Sequence, residues 1–420
     1  MGSQKLTKLK EEQSFYDYDK QYQIAINAFE RDKSISEINK NFIRQFINNC
    51  FSEGLSKGRV CKYIYFLRRI GSLIDIDFDK ATKPDMKRLV AKLEAITDIS
   101  NVTKKDHKVA IKKFYKSVFG DGEDYPECVR FIKATLKNNH KIPDILTEDD
   151  FKLMLKTAKK SMDKCLLATL FDSGARIGEI ASVQLKHIKF LEEDTIEMIL
   201  PQSKTKPRRI LLIPATPYIR IWLNDHPLKN DEEAYLFINS KNNQRLNYDA
   251  YLRRLQRIGK LAKINKRVNP HTWRKSSATW SAKMGLSDVQ LDERYGWVIG
   301  SKTKQVYVHL SGRDSDFAYM KIHGKDVSKE KTENEIKPIR CSFCDHINGV
   351  DSKYCGKCLR PLNIKVALEQ QQKREVSAEI EQTLIQDPRY KIILDMQTQI
   401  LRERTEKDVE FKNKIKLFFE

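Results

Sequence analysis

Four of the eight cysteines stand in two close pairs, and this pattern constrains the fold of its segment more than any other feature of the sequence. Each C-x-x-C pair presents two thiolates, and two such pairs complete a tetrahedral Zn²⁺ site. Ten residues separate the pairs and the segment has little apolar content, so it predicts a small zinc ribbon over residues 338–362 that folds around its ion. The predicted ligands are Cys341, Cys344, Cys355 and Cys358.

Four protein ligands leave no open coordination position, so we expect one structural Zn²⁺ rather than a catalytic ion. His346 is a spare candidate ligand that ranks below the thiolates. A redox-active dithiol is the alternative, and two C-x-x-C pairs in one short module make it the weaker interpretation. The other cysteines are scattered, as expected for small buried side chains in a reducing compartment. They are Cys50, Cys61, Cys128 and Cys165.

Basic side chains outnumber acidic ones by a margin that indicates a polyanionic partner. The 420 residues include 78 Lys and Arg against 57 Asp and Glu, which gives a net charge of +21. Clustered basic side chains gain affinity by releasing counterions from phosphates, so double-stranded DNA is the expected partner. Anionic membrane is the rival surface, but apolar runs such as residues 210–213 are far shorter than the ~20 residues of a spanning helix. We therefore expect a cytoplasmic, nucleoid-associated protein with no membrane partner.

Apolar residues recur at helical spacing between residues 16 and 135, after a charged leader over residues 1–15. This region is predicted to be a small helical domain. Its segment 104–119 sets six lysines beside apolar side chains, so that one helix face can pack while the other contacts phosphates. A merely solvated lysine face is an equal alternative.

A change of pattern after residue 135 indicates a second domain. Residues 136–146 have no apolar period, which predicts a linker, and Thr147 is a suitable N-cap for the helix that follows. Helical patterns then alternate with two predicted strands, 195–200 and 208–214, joined by PQSKTKP.

The remaining segments complete the predicted organisation. Residues 252–267 have the pattern of an amphipathic helix, and the charged residues 326–337 read as a linker before the ribbon. The pattern of residues 363–420 predicts two helices interrupted near Pro388. These helices either dock a partner protein or another copy of the chain, or form a solvated tail. The predicted fold is multidomain and mainly α, with a mixed α+β domain over residues 147–325.

Four short segments stand out by their order along the chain. They are SGARIGEI at 173–180, QSKTKPRR at 202–209, HTWRKSSATW at 271–280 and YGWVIGSKTKQVYVHLSG at 295–312. Together they resemble the tyrosine recombinase family, the phage-integrase and Xer-like enzymes that cut and rejoin DNA through a phosphotyrosine. The resemblance implies a DNA core-binding domain over residues 16–135 and a catalytic domain over residues 147–325. It also implies a reaction without ATP or a catalytic cofactor, and a homo-tetramer on DNA. A monomer is an option for the protein free of DNA.

The chemistry can also be argued from the side chains. Transesterification of a phosphodiester builds negative charge on the nonbridging oxygens, which the guanidinium forks of Arg176 and Arg274 are suited to stabilise. The resemblance places His271 near the same phosphate, as a hydrogen-bond donor or as acceptor of the tyrosine proton. It makes Lys204 the general acid for the departing 5′ oxygen, with Lys206 as the alternative. A basic hairpin that only binds the DNA backbone is the bland interpretation of that segment.

Tyr307 is the candidate nucleophile. A phenol with a pKa near 10 needs neighbouring arginines and a base to favour its phenolate. Trp297 stands at the position where the family carries His or Trp, ten residues before Tyr307 where the family usually has nine. A one-residue insertion would absorb this difference. Tyr295 and Tyr319 are the rival hydroxyls.

Two further residues lie close to the predicted catalytic set. Glu179, one helical turn after Arg176, either orients that guanidinium or forms a surface salt bridge. His309 follows Tyr307 by two residues and is interpreted as structural.

The sequence therefore predicts a site-specific DNA recombinase or integrase that acts through a 3′-phosphotyrosyl intermediate. Its C-terminal ribbon resembles that of archaeal integrases, which suggests the mobile element of an archaeal virus or plasmid. The alternatives are a type IB topoisomerase-like relaxing enzyme and a non-catalytic DNA-binding regulator with the same fold. The ribbon or the C-terminal helices are candidate sites for a protein partner.

Overall fold

The computed structural model describes most of the chain. The described residues are 15–120, 124–135, 144–191, 195–201, 207–298 and 336–407, with 316, 319, 320, 323 and 324. The chain divides into two compact units, one with residues 1–144 and 241–252 and the other with residues 145–240 and 253–420.

The first unit is helical around an aromatic core. Its helices are α1 (Tyr18–Glu30), α2 (Glu37–Ser52), α3 (Lys57–Leu73), α4 (Lys83–Ala95), α5 (Asn101–Val118) and α6 (Glu127–Arg130), with a 3₁₀ turn at Phe78–Lys80. The hydroxyl of Ser36 begins α2 by accepting a hydrogen bond from the backbone N–H of Asn39 at 3.2 Å. The ring of Phe114 lies 5.6 Å from that of Phe46 and 4.9 Å from that of Phe78, at the centre of the buried cluster.

Several lysines of α5 contact the rest of their own unit. Lys104 is buried and donates to a backbone carbonyl at the end of α4. Lys113 pairs with Glu53 at 2.8 Å, and the ammonium of Lys112 lies 4.2 Å from the ring centroid of Tyr125. These contacts hold α5 in place, a role that neither sequence-based interpretation of the lysine face included.

The second unit mixes helices with a small sheet. Its helices are α7 (Glu148–Thr157), α8 (Ser161–Ser173), α9 (Ile177–Ala181), α10 (Thr216–Asp225), α12 (Pro270–Lys283), α13 (Asp288–Tyr295), α14 (Ile364–Gln386) and α15 (Pro388–Lys407). Helix α11 (Tyr248–Leu261) crosses from the first unit into the second. The predicted cap is confirmed, because Thr147 accepts a hydrogen bond from the backbone N–H of Asp150 at 3.2 Å.

The core of the second unit is built around α8. This helix is apolar on nearly all sides and is buried along its length, as expected for a helix surrounded by other elements. Phe171 of α8 stacks on Phe151 of α7 with ring centroids 4.3 Å apart. α8 therefore provides a fixed base for the residues that follow its C-terminus.

Three antiparallel strands lie in the order β1 (Ile188–Phe190), β2 (Ile196–Leu200) and β3 (Arg208–Leu212). Both predicted strands are confirmed, and Leu200 pairs with Arg208 at the end of the hairpin. The sequence did not predict β1. It also placed a helix over 252–267, which is wrong in its bounds, because α11 begins earlier and ends before Lys263 takes a φ of +54°.

The cysteine segment contains a two-stranded sheet, β4 (Ile339–Arg340) with β5 (Ile347–Asn348). Helices α14 and α15 follow, and they meet at Asp387 and Pro388, as the interruption near this proline predicted. The predicted fold class, mainly α with a small mixed domain and a compact cysteine module, is confirmed. Among the helices that the structure describes, none is both long enough and apolar enough to cross a membrane.

Candidate functional site

The turn after α8 positions the first predicted catalytic arginine. α8 ends at Gly174, whose φ of +53° lies in the left-handed region that glycine adopts without a steric penalty. A Cβ at this position would lie 2.6 Å from the Oγ of Ser277, so the packing also requires glycine. Two residues later Arg176 caps α9, with 33% of its side chain exposed. The partly exposed side chain of Arg176 is thus held just beyond the C-terminus of the buried helix α8.

A buried carboxylate holds Arg176. The backbone N–H of Arg176 donates to Oε2 of Glu179 at 2.8 Å, and its Nη1 donates to Oε1 at 2.8 Å. Glu179 also accepts two bonds of 2.9 Å from the guanidinium of Arg208. Burial works to raise the pKa of the Glu179 carboxyl, but the bonds from Arg208 and Arg176 outweigh it, so the pKa lies below its ordinary value. Glu179 is therefore the buried partner of Arg176 and not part of a surface salt bridge.

Arg274 lies on the buried side of α12, with 2% of the residue exposed. Its Nη1 donates to the carbonyl of Gly174 at 2.9 Å, and its Nη2 donates to the carbonyl of Tyr295. Its guanidinium carbon lies 5.6 Å from the ring centroid of Trp297. The two predicted arginines are therefore tied to one turn, Arg274 through the carbonyl of Gly174 and Arg176 through the chain.

Tyr295 and Trp297 stack beside Arg274, with ring centroids 5.1 Å apart. The hydroxyl of Tyr295 is hydrogen-bonded to Ser277 at 2.8 Å and to Ser281 at 2.9 Å, and burial raises its pKa. Tyr295 is fully buried and its hydroxyl is engaged by two serines, an environment that disfavours the role of rival nucleophile. Trp297 is 7% exposed and belongs to the same buried cluster as Tyr295.

His271 lies in the first turn of α12, which Asn269 caps. The residue is exposed, while its imidazole loses part of its hydration to neighbouring atoms. This desolvation, together with the positive charges of Arg274, Lys275 and Arg176, lowers the pKa of His271 below its ordinary value of 6.5. The imidazole is therefore neutral at physiological pH, a state in which one ring nitrogen donates and the other accepts a proton.

A second buried carboxylate ties the surrounding elements together. Asp172 of α8 accepts hydrogen bonds from the backbone N–H groups of Ile213 at 2.9 Å and Ala215 at 3.0 Å, and it pairs with Arg294 at 3.1 Å. Burial raises the pKa of Asp172 to about 6, against the lowering effect of these partners. The bonds join α8, the end of β3 and α13, which are the elements that lead to Arg176, the hairpin and Trp297.

The other predicted catalytic residues lie outside the described residues. Lys204 and Lys206 belong to the segment between β2 and β3, and Tyr307 and His309 follow Trp297 in the chain. Tyr319 is described and is 65% exposed.

Sequence reasoning gave no role to Arg208. The signal that would have found it is the alternation of β3, in which Ile210 and Leu212 point into the core and Arg209 and Leu211 point outward. Arg208 shares the parity of Ile210 and Leu212, so a strand in this register buries a charged guanidinium. A buried charge requires an ionic partner nearby.

The four predicted metal ligands come together. The Sγ atoms of Cys341 and Cys358 lie 3.6 Å apart, as do those of Cys344 and Cys355, and all four lie within 4.8 Å of one another. Four thiolates at ordinary Zn–S distances stand about 3.8 Å apart around a tetrahedral ion, so this spacing fits a single Zn²⁺. The cluster does not include His346.

The two cysteine pairs have matching turns. The N–H of Asp345 donates to the carbonyl of Cys341, and the N–H of Leu359 donates to the carbonyl of Cys355, each at 3.0 Å. Asp345 and Leu359 also share left-handed backbone, with φ of +53° and +61°. The repeated geometry is that of two metal-binding knuckles.

The cysteine module packs on α8 and α10. Asp351 accepts a hydrogen bond from the hydroxyl of Tyr218 at 2.7 Å and pairs with Lys164 at the start of α8. A Cβ at Gly349 would lie 2.5 Å from the ring carbon Cζ of Tyr218, so the glycine allows this approach. The module is thus joined to the helix that ends at Gly174.

Comparison with known proteins identifies the same region. Residues 144–313 match the phage integrase family. The tyrosine recombinase XerA of Saccharolobus solfataricus is 28% identical over 295 residues, which cover 68% of this chain and 93% of that protein. XerA of Pyrococcus horikoshii is 24% identical over 294 residues, with 65% and 90% covered.

Two solved structures share the fold. A lambda integrase dimer bound to a COC′ core site matches with a TM-score of 0.53 and 14% identity, over 65% of this chain and 78% of that one. The XerH post-cleavage complex with palindromic difH substrate matches with a TM-score of 0.52 and 15% identity, over 73% and 95%. The resemblance found in the four sequence segments is therefore confirmed at the level of the domain: residues 144–313 carry a phage integrase family domain, and the chain is similar to Xer tyrosine recombinases.

Proposed function

We propose that the protein is a site-specific DNA recombinase that cleaves and rejoins DNA strands through a 3′-phosphotyrosyl intermediate. The observation that carries the proposal is the convergence of Arg176, His271 and Arg274 at the turn after α8. Arg274 bonds the carbonyl of Gly174, and both arginines lie close enough to His271 to lower its pKa. Two guanidinium groups around a neutral imidazole suit a phosphodiester whose charge grows in the transition state.

The proposed reaction proceeds in two balanced transfers. The phenolate of Tyr307 attacks the phosphorus, forming the Tyr–phosphate bond as the bond from phosphorus to the 5′ oxygen breaks. Lys204, or Lys206 in its place, gives a proton to the departing 5′ oxygen, and His271 is suited to accept the tyrosine proton. A 5′ hydroxyl from another strand then attacks the phosphorus, gives its proton to the lysine and restores the backbone as the Tyr–phosphate bond breaks. The departing oxygen of Tyr307 takes back the proton that His271 accepted. The phosphoester energy is retained, so no ATP enters the scheme.

The cysteine cluster is proposed to hold one structural Zn²⁺. Cys341, Cys344, Cys355 and Cys358 fill all four positions of a tetrahedral ion, so none is left for a substrate or water. What supports this is the sulfur spacing and the pair of matching turns. The ion would hold the ribbon in the form that presents Asp351 to Tyr218 and Lys164.

Double-stranded DNA is the proposed substrate and a homo-tetramer on DNA the proposed working assembly. The net charge of +21 favours a polyanion. The related lambda integrase and XerH structures are complexes with DNA, and another lambda integrase structure is a tetramer on a Holliday junction.

The proposed function is tested by trapping the covalent intermediate. Nicked duplexes with a randomised block of about three helical turns are incubated with protein in EDTA, and DNA that stays attached under denaturing conditions is recovered and sequenced. The wild-type protein is expected to enrich one sequence in a covalent adduct, because the nick lets the 5′-hydroxyl strand diffuse away. Tyr307→Phe is the matched control, since it removes one oxygen, and it should give no adduct while still binding DNA.

Other outcomes separate the alternatives. An adduct that forms equally with Tyr307→Phe would assign the nucleophile to another residue. DNA binding without any adduct from the wild type would favour a non-catalytic DNA-binding protein. Relaxation of supercoiled DNA without recombinant products on the enriched sequence would favour a topoisomerase-like activity.

A further inference from the structure

Arg208 is the most completely engaged guanidinium around the predicted site. Its Nη1 and Nη2 each donate to one oxygen of Glu179 at 2.9 Å, and its Nε donates to the carbonyl of Arg294 at 3.2 Å. Only 5% of the side chain is exposed. A Cβ at Gly296 would lie 2.9 Å from Nη1, so the guanidinium is also closely packed against the chain that leads to Trp297. All three kinds of donor on the Arg208 guanidinium are therefore engaged within the protein.

Arg208 acts on the same carboxylate that binds Arg176. Glu179 carries one negative charge, and two guanidinium groups donate to its two oxygens. The side chain of Glu179 is 3% exposed, so water cannot screen this charge effectively. The group as a whole keeps one net positive charge, and Arg176, with 33% exposure, is the member from which that charge can reach a substrate.

We propose that Arg208 is a positioning residue that neutralises Glu179 and thereby leaves the positive charge of Arg176 available to the scissile phosphate. This inference rests on the proposed recombinase function. Without Arg208, the buried carboxylate would have Arg176 as its only ionic partner among the described residues, and it would cancel most of the field of Arg176. Glu179 would still hold Arg176 in place, but in an overall neutral pair. Arg208 would therefore affect catalysis through charge, while never touching DNA.

The arrangement also explains why the partner is an arginine. Two parallel N–H···O bonds match both oxygens of a carboxylate, and the third donor, Nε, remains for the carbonyl of Arg294. A lysine would supply the charge without the fork. Charge and geometry can therefore be separated by substitution.

The experiment compares four variants of the full-length protein. Arg208→Met removes the charge and leaves Glu179 to Arg176. Arg208→Met with Glu179→Gln removes one positive and one negative charge, and the amide oxygen of Gln can still accept from Arg176. Arg208→Lys keeps the charge without the fork. Arg209→Met is the matched control, because Arg209 is the next residue of β3, its side chain is 66% exposed, and its ionic partner is Glu197 on the neighbouring strand.

The measurement is the single-turnover rate of adduct formation at saturating protein, on the duplex that the wild type enriches. Arg208→Met is expected to lower this rate about 10²-fold, the scale of losing one charge-stabilising donor. The double variant is expected to recover to within about tenfold of wild type, because Arg176 regains its uncompensated charge. Arg208→Lys should retain most of the rate, and Arg209→Met, which removes an exposed charge from the same strand, should lower the rate far less than Arg208→Met does. DNA affinity and thermal unfolding are measured alongside.

If Arg208 had a purely structural role, the double variant would form the adduct more slowly than Arg208→Met, since it removes more of the buried network. A double variant as slow as Arg208→Met, or Arg208→Met as fast as Arg209→Met, would overturn the proposal. If Arg208→Met fails to fold, the double variant and Arg208→Lys carry the test. The double variant has no carboxylate at position 179, and Arg208→Lys keeps a positive charge beside Glu179. Failure of the proposed function is seen separately, as absence of any adduct from the wild type, and it would overturn both.

Discussion

Gly174 shows how one residue sets the geometry of the candidate site. It ends α8 in left-handed backbone, its carbonyl accepts from Arg274, and the chain reaches Arg176 two residues later. Any side chain there would meet Ser277 and the ring of Tyr295. Glycine is therefore required at this position for two reasons: the left-handed backbone and the close packing against Ser277 and Tyr295.

Gly174→Ala is predicted to be strongly destabilising. The left-handed backbone costs an L residue roughly 1–2 kcal/mol, and the overpacking against Ser277 costs about 1–3 kcal/mol more. Urea denaturation followed by circular dichroism measures the change in the free energy of unfolding. The control is Gly285→Ala in the same unit, where φ is +99° but no atom lies within 4 Å of the added Cβ. A loss in Gly174→Ala of no more than about 1–2 kcal/mol, the cost of the backbone alone, would show that the packing contribution is absent.

At the scale of the element, the contacts that α5 makes differ from the role that its lysine spacing predicted. Its lysines make contacts within the first unit, and its buried side includes the fully buried His107. The Nδ1 of His107 is hydrogen-bonded to the carbonyl of Thr103 at 2.7 Å, and its ring lies 4.4 Å from that of Phe66. Among the described residues, its Nε2 has no hydrogen-bond partner.

The burial of His107 predicts that the folded protein loses stability in mild acid. Desolvation and the nearby charge of Arg69 lower its pKa in the folded state, while the unfolded chain keeps a value near 6.5. As the pH falls below 6.5 the unfolded state takes up a proton more readily than the folded state, so the stability present above this pH is lost. His107→Gln should show a smaller fall in the urea midpoint between about pH 7.5 and 5.5 than the wild type. His323→Gln, at an exposed position, is the control and should follow the wild type.

At the scale of the whole molecule, the cysteine module is part of the second unit. Asp351 bonds Tyr218 and Lys164, so folding of the ribbon is connected to α10 and to the start of α8. Burial raises the pKa of Tyr218, which keeps its hydroxyl a donor to the carboxylate at any physiological pH. The ribbon is thus positioned to stabilise the helix whose other end holds Gly174.

Removal of the metal is predicted to destabilise the second unit as well as the ribbon. Elemental analysis should find one zinc per chain, and a strong chelator should lower the thermal midpoint of the second unit because the docking contacts of Asp351 are lost. Asp351→Ala is the companion variant, and it should lower the midpoint while retaining zinc. A chelated protein with an unchanged midpoint would show that the ribbon folds and docks without the ion.

The net charge of +21 leads to a prediction about salt. DNA affinity should fall steeply with salt concentration, by about 10³-fold or more between 50 and 200 mM if six or more phosphates are contacted. Fluorescence anisotropy with a random-sequence duplex measures this slope. A slope near zero would contradict a phosphate-dominated interface.

The sequence by itself determined what local pattern and side-chain chemistry can carry. The two cysteine pairs predicted the metal cluster, Thr147 predicted its helix, and alternation predicted β2 and β3, because each depends on residues close together in the chain. The ordered motifs likewise indicated the phage integrase domain. Only the tertiary structure decided that Tyr295 is buried, that lysines of α5 such as Lys113 contact their own unit, and that Arg208 binds Glu179. These outcomes depend on which distant elements come to lie beside a residue, and no local pattern contains that information.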